Sequence, residues 1–218
     1  MLILFDIDCT LVDTGGAGMS ALNEAALEVF GSEGPPLDLA GSTDKGIVRG
    51  LFGHFELPYD EALEERFFEV YLPKVERNLN DPSFGGKVLE GAQNLLNALE
   101  EEGHTLGLMT GNIERGAVVK TSHYGLSEHF GFGSYGDDHW DRNKLGPIAL
   151  ARAEAATGKT FLSDEILVIG DTPKDVACAH AFGVRCVAVA TGAFNEEALR
   201  ACGADEVIST LVGFQVSS

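Results

Sequence analysis

Five short apolar segments of this chain each end in polar residues, and this repeated pattern limits how the chain can fold. The first segment, Leu2–Phe5, leads directly into Asp6 and Asp8. A short continuous apolar run of this kind is typical of a parallel strand that is buried on both faces and ends in a polar loop. The same pattern recurs at residues 105–109, 166–169, 186–189 and 206–208. We therefore predict five strands whose carboxyl ends carry polar side chains.

Helical patterns separate these predicted strands, and most of them are closed by a glycine. They cover residues 89–102, 114–124, 147–157, 174–182 and 195–201. Regular alternation of strand and helix predicts an α/β fold, a doubly wound parallel sheet with helices on both faces. Such sheets bind ligands outside the carboxyl ends of their strands, so we expect the polar strand ends to meet in one crevice.

One stretch of the chain, residues 15–84, interrupts the alternation with helical patterns and no convincing strand. The patterns lie at residues 19–30, 45–52 and 61–79. We interpret this stretch as an inserted all-helical subdomain, and residues 1–14 and 85–218 as the sheet domain. Glycines stand where the insert would leave and rejoin the sheet, and they predict a hinge there: Gly15, Gly16, Gly18, Gly85 and Gly86.

Charge and cysteine content restrict the partners and the compartment. Fifteen basic against thirty-four acidic side chains give a net charge of -19, which repels nucleic acids and anionic membranes. The four cysteines lack the spacing of a zinc site, so we interpret them as reduced thiols. The first residues lack a basic region, and Asp6 interrupts their apolar run, so we expect neither a signal peptide nor a membrane span. We expect a cytoplasmic protein.

Four carboxylates follow two of the predicted strands. Asp6 and Asp8 lie two residues apart, so in an extended chain their side chains project from the same side. Asp171 and Asp175 bring further negative charge to another strand end. A cluster of oxygen ligands suits Mg²⁺ better than zinc, and the metal would offset the repulsion between the carboxylates. These four residues are our candidate metal site.

A third strand end has the composition of an anion-binding loop. Thr110 can donate its hydroxyl to a phosphate oxygen, and Gly111 leaves the neighbouring amide unobstructed. Asn112 completes the segment. An ordinary turn has the same residue types, but its place after an apolar strand favours a phosphate-binding loop.

Four motifs together resemble the haloacid dehalogenase superfamily, and most closely its phosphoglycolate-phosphatase-like members. The resemblance covers roughly residues 1–14 and 85–211. The motifs appear in order as Asp6-Ile7-Asp8-Cys9-Thr10, Thr110-Gly111-Asn112, a basic residue before the Pro147 helix, and Gly170-Asp171-Thr172-Pro173-Lys174-Asp175. One departure is Cys9, because the phosphatases most like this chain usually have glycine at that position.

The resemblance implies a Mg²⁺-dependent phosphatase of small phosphorylated metabolites. Asp6 occupies the position of the nucleophile that forms an aspartyl-phosphate, and Asp8 that of the general acid and base. The family's metal ligands correspond to the Asp6 carboxylate, the Asp8 backbone carbonyl and Asp171. Asp175 corresponds to a further ligand or to an anchor behind the ligands. The insert at residues 15–84 corresponds to a helical cap that closes over the substrate.

The family's third motif requires a basic residue, and two are available. Arg142 lies five positions before Pro147, which matches the family's spacing, whereas Lys144 matches by residue type. We favour Arg142, whose guanidinium would grip two oxygens where a lysine presents a point charge.

The insert also offers candidate substrate contacts. Residues 41–45 resemble the loop by which helical caps of this superfamily reach the substrate, so Thr43, Lys45 and Arg49 are candidates. The alternative is an ordinary helix start with a solvated lysine.

Other functions on the same scaffold remain open. Asp8 weighs against a dehalogenase, because cleavage of a carbon–halogen bond needs no acid for a leaving oxygen. A phosphonatase would need a Schiff-base lysine, for which Lys45 is the candidate, and a phosphosugar mutase would retain its phosphoryl group. In a different class, the chain could bind a phosphorylated ligand without catalysis. The oligomeric state is not predicted.

Overall fold

The apolar segments form strands in the computed structural model, which describes residues 1–35 and 40–216. The strands are β1 (Leu2–Phe5), β2 (Val12–Asp13), β3 (Lys87–Val88), β4 (Thr105–Met109), β5 (Gly133–Ser134), β6 (Ile166–Gly170), β7 (Arg185–Val189) and β8 (Glu206–Ile208). Six of them form a parallel sheet in the order β5-β4-β1-β6-β7-β8. The five predicted strands are confirmed as β1, β4, β6, β7 and β8, and β5 is an additional short edge strand.

Burial on both faces explains why the strands read as continuous apolar runs. Every residue of β1, β4 and β6 is buried. Successive side chains of a strand point to opposite faces. Ile3 and Phe5 accordingly join one apolar core, whereas Leu2 and Leu4 join the core on the other face. The sheet is therefore covered on both sides, as the doubly wound fold requires.

Helices occupy the predicted positions between the strands. The helices are α1 (Ala17–Phe30), α2 (Asp44–His54), α3 (Glu61–Leu79), α4 (Ala92–Glu101), α5 (Glu114–His123), α6 (Leu145–Thr157), α7 (Pro173–Ala181) and α8 (Glu196–Ala201). Within the described part of the chain, no helix has both the length and the apolar character needed to cross a lipid bilayer.

The first three helices pack around an apolar core of their own. Ala21 of α1, Val48 of α2 and Phe67 of α3 are all buried in it. Ile113, which precedes α5, joins the same core and so links these helices to the sheet domain. This helical cluster agrees with the predicted insert at residues 15–84, although the boundaries and the cap function stay an interpretation.

The two connections of the helical segment are paired with each other. Residue Val12 of β2 lies opposite Val88 of β3, and Asp13 lies opposite Lys87, in an antiparallel ladder. Gly15 follows at a φ of 61°, and a Cβ atom there would come within 1.7 Å of the Phe84 carbonyl oxygen. Glycine is therefore required at this crossing point for close approach as well as for its backbone conformation.

We expect Gly15→Ala to lower the free energy of unfolding by roughly 2–4 kcal/mol, because a left-handed conformation and a backbone overlap both oppose the new methyl group. Gly16→Ala is the matched control: its φ is 89°, but nothing lies within 4 Å of the added Cβ. Urea titrations of both variants measure the difference. Equal losses of stability in the two variants would show that the contact with Phe84 is unimportant.

Candidate active site

The carboxyl ends of β1, β4 and β6 meet at a cavity of about 330 Å³. The sequence-predicted residues Asp6, Asp8, Gly111 and Asp171 line it from the sheet. The helical segment closes the other side with residues that include Gly18, Leu22, Asp44, Ile47 and Tyr71. The polar strand ends therefore converge as the parallel sheet predicts, and the cavity lies between the sheet and the helical cluster.

Three buried carboxylates form a tight cluster beside this cavity. Ligand oxygens of Asp6, Asp171 and Asp175 all lie within 4.8 Å of one another. Burial, together with the neighbouring carboxylates, raises the pKa of Asp6 to about 6 and that of Asp171 to about 9. Because ionised carboxylates this close repel one another, a divalent cation would stabilise the cluster. Its oxygen donor set fits Mg²⁺.

Asp175 is fully buried and has partners for both of its oxygens. One oxygen accepts hydrogen bonds from the Thr172 amide at 2.9 Å and from the Thr172 hydroxyl at 2.7 Å. Its other oxygen forms an ion pair with Arg142. This reciprocal pairing with Thr172 caps α7. The sequence analysis predicts that Asp175 either binds the metal or anchors the metal ligands from behind. The geometry favours the anchoring role.

Arg142 is the basic residue that reaches the carboxylate cluster. Its Nη2 lies 3.2 Å from an Asp6 oxygen and also contacts Asp175, and its Nη1 donates to the Gly41 carbonyl at 3.0 Å. The side chain is buried, whereas Lys144 is exposed. The fork of a guanidinium can bind two carboxylates at once, which an ammonium on a flexible stem does less well. The structure brings Arg142, and not Lys144, to Asp6.

The loop after β4 is rigidly held. Thr110 is fully buried, and its hydroxyl oxygen accepts a hydrogen bond from the Asn112 side-chain amide at 2.9 Å. A Cβ atom on Gly111 would come within 2.1 Å of the Ser42 carbonyl oxygen, so only glycine fits there. The Asn112 amide also donates to Asp8 at 2.8 Å. Gly111 and Asn112 therefore line the cavity, and Thr110 lies buried behind them as a hydrogen-bond partner of Asn112.

Lys120 is a site residue that the sequence analysis missed. Its ammonium lies 2.6 and 2.8 Å from the two Asp8 oxygens and 2.6 Å from the side-chain oxygen of Asn112, Oδ1. The residue is only 4% exposed, although it carries a full charge. It shares the buried face of α5 with Ala117 and Thr121. A lysine at helical spacing among buried positions is the signal that would have identified it.

The three predicted substrate contacts of the insert lie outside this cavity. Thr43 caps α2 and donates its hydroxyl to the Trp140 carbonyl at 2.7 Å. The Lys45 ammonium lies 3.4 Å from buried Glu64, and the Arg49 guanidinium stacks over the rings of Tyr59 and Trp140. Their polar groups are thus occupied by partners within the protein. The position of Lys45 also gives no support to a Schiff-base role.

Asp44, which the sequence analysis passed over, holds the loop of the insert against the sheet. Its carboxylate accepts a hydrogen bond from the Ile113 amide at 2.9 Å, and its own amide donates to the Gly111 carbonyl at 2.7 Å. Burial raises the pKa of Asp44 to about 6. These hydrogen bonds attach the insert to the loop that follows β4.

Cys9 has the backbone conformation expected where glycine is usual. Its φ is 57°, in the left-handed region. Burial and the nearby carboxylates, Asp171 foremost, raise the pKa of this thiol to about 12. The thiolate is the reactive form, so this environment disfavours oxidation.

The chain is similar to known phosphatases in sequence and to several solved structures in fold. A phosphoglycolate phosphatase of Rhodospirillum rubrum is 29% identical over 216 residues, covering 93% of this chain and 84% of that protein. A hydrolase from Pseudomonas syringae superposes with a TM-score of 0.72 at 22% identity, covering 96% of this chain and 94% of that one. A putative β-phosphoglucomutase from Thermotoga maritima gives a TM-score of 0.63 at 19% identity, with coverages of 96% and 94%.

A family match covers most of the chain. The family described as haloacid dehalogenase-like hydrolase matches residues 3–189, a range that includes all four motifs. The resemblance predicted from those motifs is thereby confirmed, and so is the expectation of an enzyme. The chain belongs to the haloacid dehalogenase-like hydrolase family.

Proposed function

We propose that this hydrolase is a Mg²⁺-dependent phosphatase that cleaves a small phosphorylated metabolite through an aspartyl-phosphate on Asp6. The observation that carries the proposal is the buried cluster of Asp6, Asp171 and Asp175, which contacts Arg142 and of which Asp6 and Asp171 line one small cavity. The sequence relationship to a phosphoglycolate phosphatase supports the same activity. The small cavity favours a metabolite over a phosphoprotein.

Asp6 and Asp8 would divide the reaction between them. An Asp6 carboxylate oxygen attacks phosphorus, and the bond between phosphorus and the ester oxygen breaks as Asp8 gives its proton to that oxygen. In the second half, Asp8 takes a proton from a water molecule that attacks the phosphorus. The bond to Asp6 then breaks, which releases inorganic phosphate and restores the Asp6 carboxylate and the protonated Asp8 side chain.

The remaining residues would bind and neutralise the phosphate. Mg²⁺, held by Asp6, Asp171 and the Asp8 carbonyl, would supply positive charge to the carboxylates and the phosphate. Arg142 lies at Asp6 and balances charge on the side of the nucleophile. Thr110 and the adjacent amides offer hydrogen-bond donors to the phosphate oxygens. Residues 15–84 would act as the cap that excludes bulk water during the reaction.

The test is a phosphate-release assay over a panel of phosphate monoesters, with Mg²⁺ and with EDTA. We expect turnover that depends on Mg²⁺ and releases one inorganic phosphate for each ester consumed. Isomerisation of a phosphosugar without phosphate release would instead indicate a mutase. Binding of phosphate esters without turnover would indicate a non-catalytic protein.

Metal binding should also appear in the stability of the protein, and its effect should depend on pH. The raised pKa values of Asp6 and Asp171 mean that these groups stabilise the metal-free fold most at low pH. That stability is lost as the pH rises through about 6 and then about 9. We therefore expect the increase in Tm on adding Mg²⁺ to be larger near pH 8 than near pH 5, by several degrees.

Thermal unfolding with Mg²⁺ or EDTA at the two pH values measures this effect. Asp171→Asn is the matched variant, because it removes a ligand and one source of repulsion together. The Mg²⁺ effect should be much smaller in this variant. An equal rise in Tm at both pH values in the wild-type protein would contradict a metal site formed by these carboxylates.

A further inference from the structure

Two residues of the insert that lie outside the cavity contact the segment that leads to Arg142. The Thr43 hydroxyl donates to the Trp140 carbonyl at 2.7 Å, and the Arg49 guanidinium lies over the Trp140 ring. Neither Thr43 nor Arg49 lines the cavity. Trp140 precedes Arg142 by two residues. The insert therefore rests on the short backbone segment from which Arg142 reaches Asp6, and the reaction proposed above gives these contacts no role.

The contact at Thr43 is a close one between side chain and backbone. Thr43 is only 1% exposed, and its hydroxyl also accepts a hydrogen bond from the Gly46 amide at 3.0 Å. The hydroxyl is thus held on one side and directed at the Trp140 carbonyl on the other. A Cβ atom on Gly46 would come within 2.9 Å of the same carbonyl oxygen. The first turn of α2 therefore packs directly against the Trp140 peptide group.

Arg49 holds the side chain of the same tryptophan. Its guanidinium carbon lies 5.6 Å from the centre of the Trp140 ring and 4.5 Å from that of the Tyr59 ring. Tyr59 belongs to the insert, whereas Trp140 belongs to the sheet domain and is 50% exposed. A cation over an aromatic face is attracted by the ring, even at an exposed site. Arg49 therefore links an aromatic ring of the insert to one of the sheet domain.

The position of Arg142 depends on the segment that these contacts hold. Its side chain starts from a short 3₁₀ turn, Arg142–Lys144, that begins two residues after Trp140. Nη1 donates to the Gly41 carbonyl at 3.0 Å, and Nη2 lies 3.2 Å from an Asp6 oxygen. The buried Nε has no hydrogen-bond partner among the described residues. The guanidinium is held at its Nη atoms, so its orientation also depends on where the backbone of residues 140–142 lies.

We infer that Thr43 and Arg49 are positioning residues for Arg142, on which they act through the backbone segment that they hold. This inference rests on the proposed phosphatase function. A catalytic group must be kept close to its productive geometry, and small displacements lower the rate. Because neither residue reaches the cavity, their loss should lower kcat and leave KM nearly unchanged. Loss of a substrate contact would raise KM instead.

Steady-state turnover of the most active ester of the panel above, with Mg²⁺, measures this effect. We expect Thr43→Val to lower kcat by about 2- to 10-fold because one hydrogen bond is lost. Thr43→Ser keeps the hydroxyl and should keep wild-type turnover. Arg49→Met should lower kcat by about 2- to 5-fold, as expected for one cation–π contact. Arg66→Met is the matched control, because Arg66 is exposed on α3 of the same insert, and its kcat should equal that of the wild-type protein.

Repeating the substitutions in an Arg142→Lys background tests the route of the effect. A residue that acts through the Arg142 guanidinium has little left to disturb once that group is gone, so the kcat losses should shrink to less than about 2-fold. Trp140 is the single tryptophan of the chain, so its fluorescence reports on this segment alone. Quenching of that fluorescence by acrylamide should increase in Arg49→Met and stay unchanged in Arg66→Met.

A purely structural role of the two residues predicts a different result. Thr43→Val and Arg49→Met would then lower Tm while kcat stays at the wild-type value, which overturns the inference. Equal kcat losses in the wild-type and Arg142→Lys backgrounds, or a rise in KM alone, also overturn it while the phosphatase function stands. If Thr43→Val does not fold, the Arg49→Met measurements decide, because Arg49 is exposed. Failure of the wild-type protein to release phosphate from any ester overturns the proposed function itself.

Discussion

Asp6→Asn is expected to reduce phosphate release by about 10⁴-fold or more, because it replaces the carboxylate that would attack phosphorus by a weakly nucleophilic amide. The substitution keeps the size of the side chain. It also removes one of three crowded carboxylates, each of which is buried. We therefore expect the metal-free variant to be at least as stable as the wild-type protein. A large loss of activity without a loss of stability separates a chemical role from a structural one.

Covalent trapping gives this prediction a second readout. Acid quenching during turnover should leave phosphate attached to the wild-type chain at Asp6, and mass spectrometry of peptides should find it there. Asp8→Asn is the informative comparison, because loss of the acid and base slows both steps but leaves the nucleophile in place. Substantial turnover in Asp6→Asn, or phosphate attached to another residue, would contradict the proposed mechanism.

The sheet and its convergent strand ends could be predicted because both follow from local patterns. Burial on both faces requires continuous apolar runs such as Leu2–Phe5, and parallel strands necessarily place their carboxyl ends at one edge. β5 could not be predicted, since it has two residues, Gly133 and Ser134, and no apolar run. Its pairing with β4 depends on tertiary contacts.

The cap side of the site was harder to predict for a different reason. Lys45 and Arg49 were chosen for their charge. In the structure, Lys45 pairs with Glu64, and Arg49 lies over two aromatic rings. These partners come from other parts of the chain, so the sequence pattern around Lys45 and Arg49 did not reveal them. Lys120 and Tyr71 were missed because the direction of a helical side chain depends on how the helix packs. A residue at a strand end has its position fixed by the sheet, whereas a residue on a helix does not.

The choice between Arg142 and Lys144 gives the second prediction with a large effect. Arg142 is 6% exposed and contacts Asp6, Asp175 and the Gly41 carbonyl. It therefore connects the proposed nucleophile and the residue behind it to the loop of the insert. Lysine at this position keeps the charge but lacks the fork that reaches several acceptors. We expect Arg142→Lys to lower kcat by roughly 10²- to 10³-fold, the range found when one stabilising donor is removed from a transition state.

Lys144→Met is the matched control, because Lys144 lies two residues away and is exposed. We expect its kcat and stability to remain close to those of the wild-type protein. Arg142→Met should in addition destabilise the fold by roughly 3–5 kcal/mol, since it leaves the Asp6 and Asp175 carboxylates buried without a cation. Saturating Mg²⁺ should restore part of that stability but not the turnover, because the metal can offset charge but cannot replace the contacts of the guanidinium. The reverse pattern, with full activity in Arg142→Lys and a large loss in Lys144→Met, would assign the third motif to Lys144.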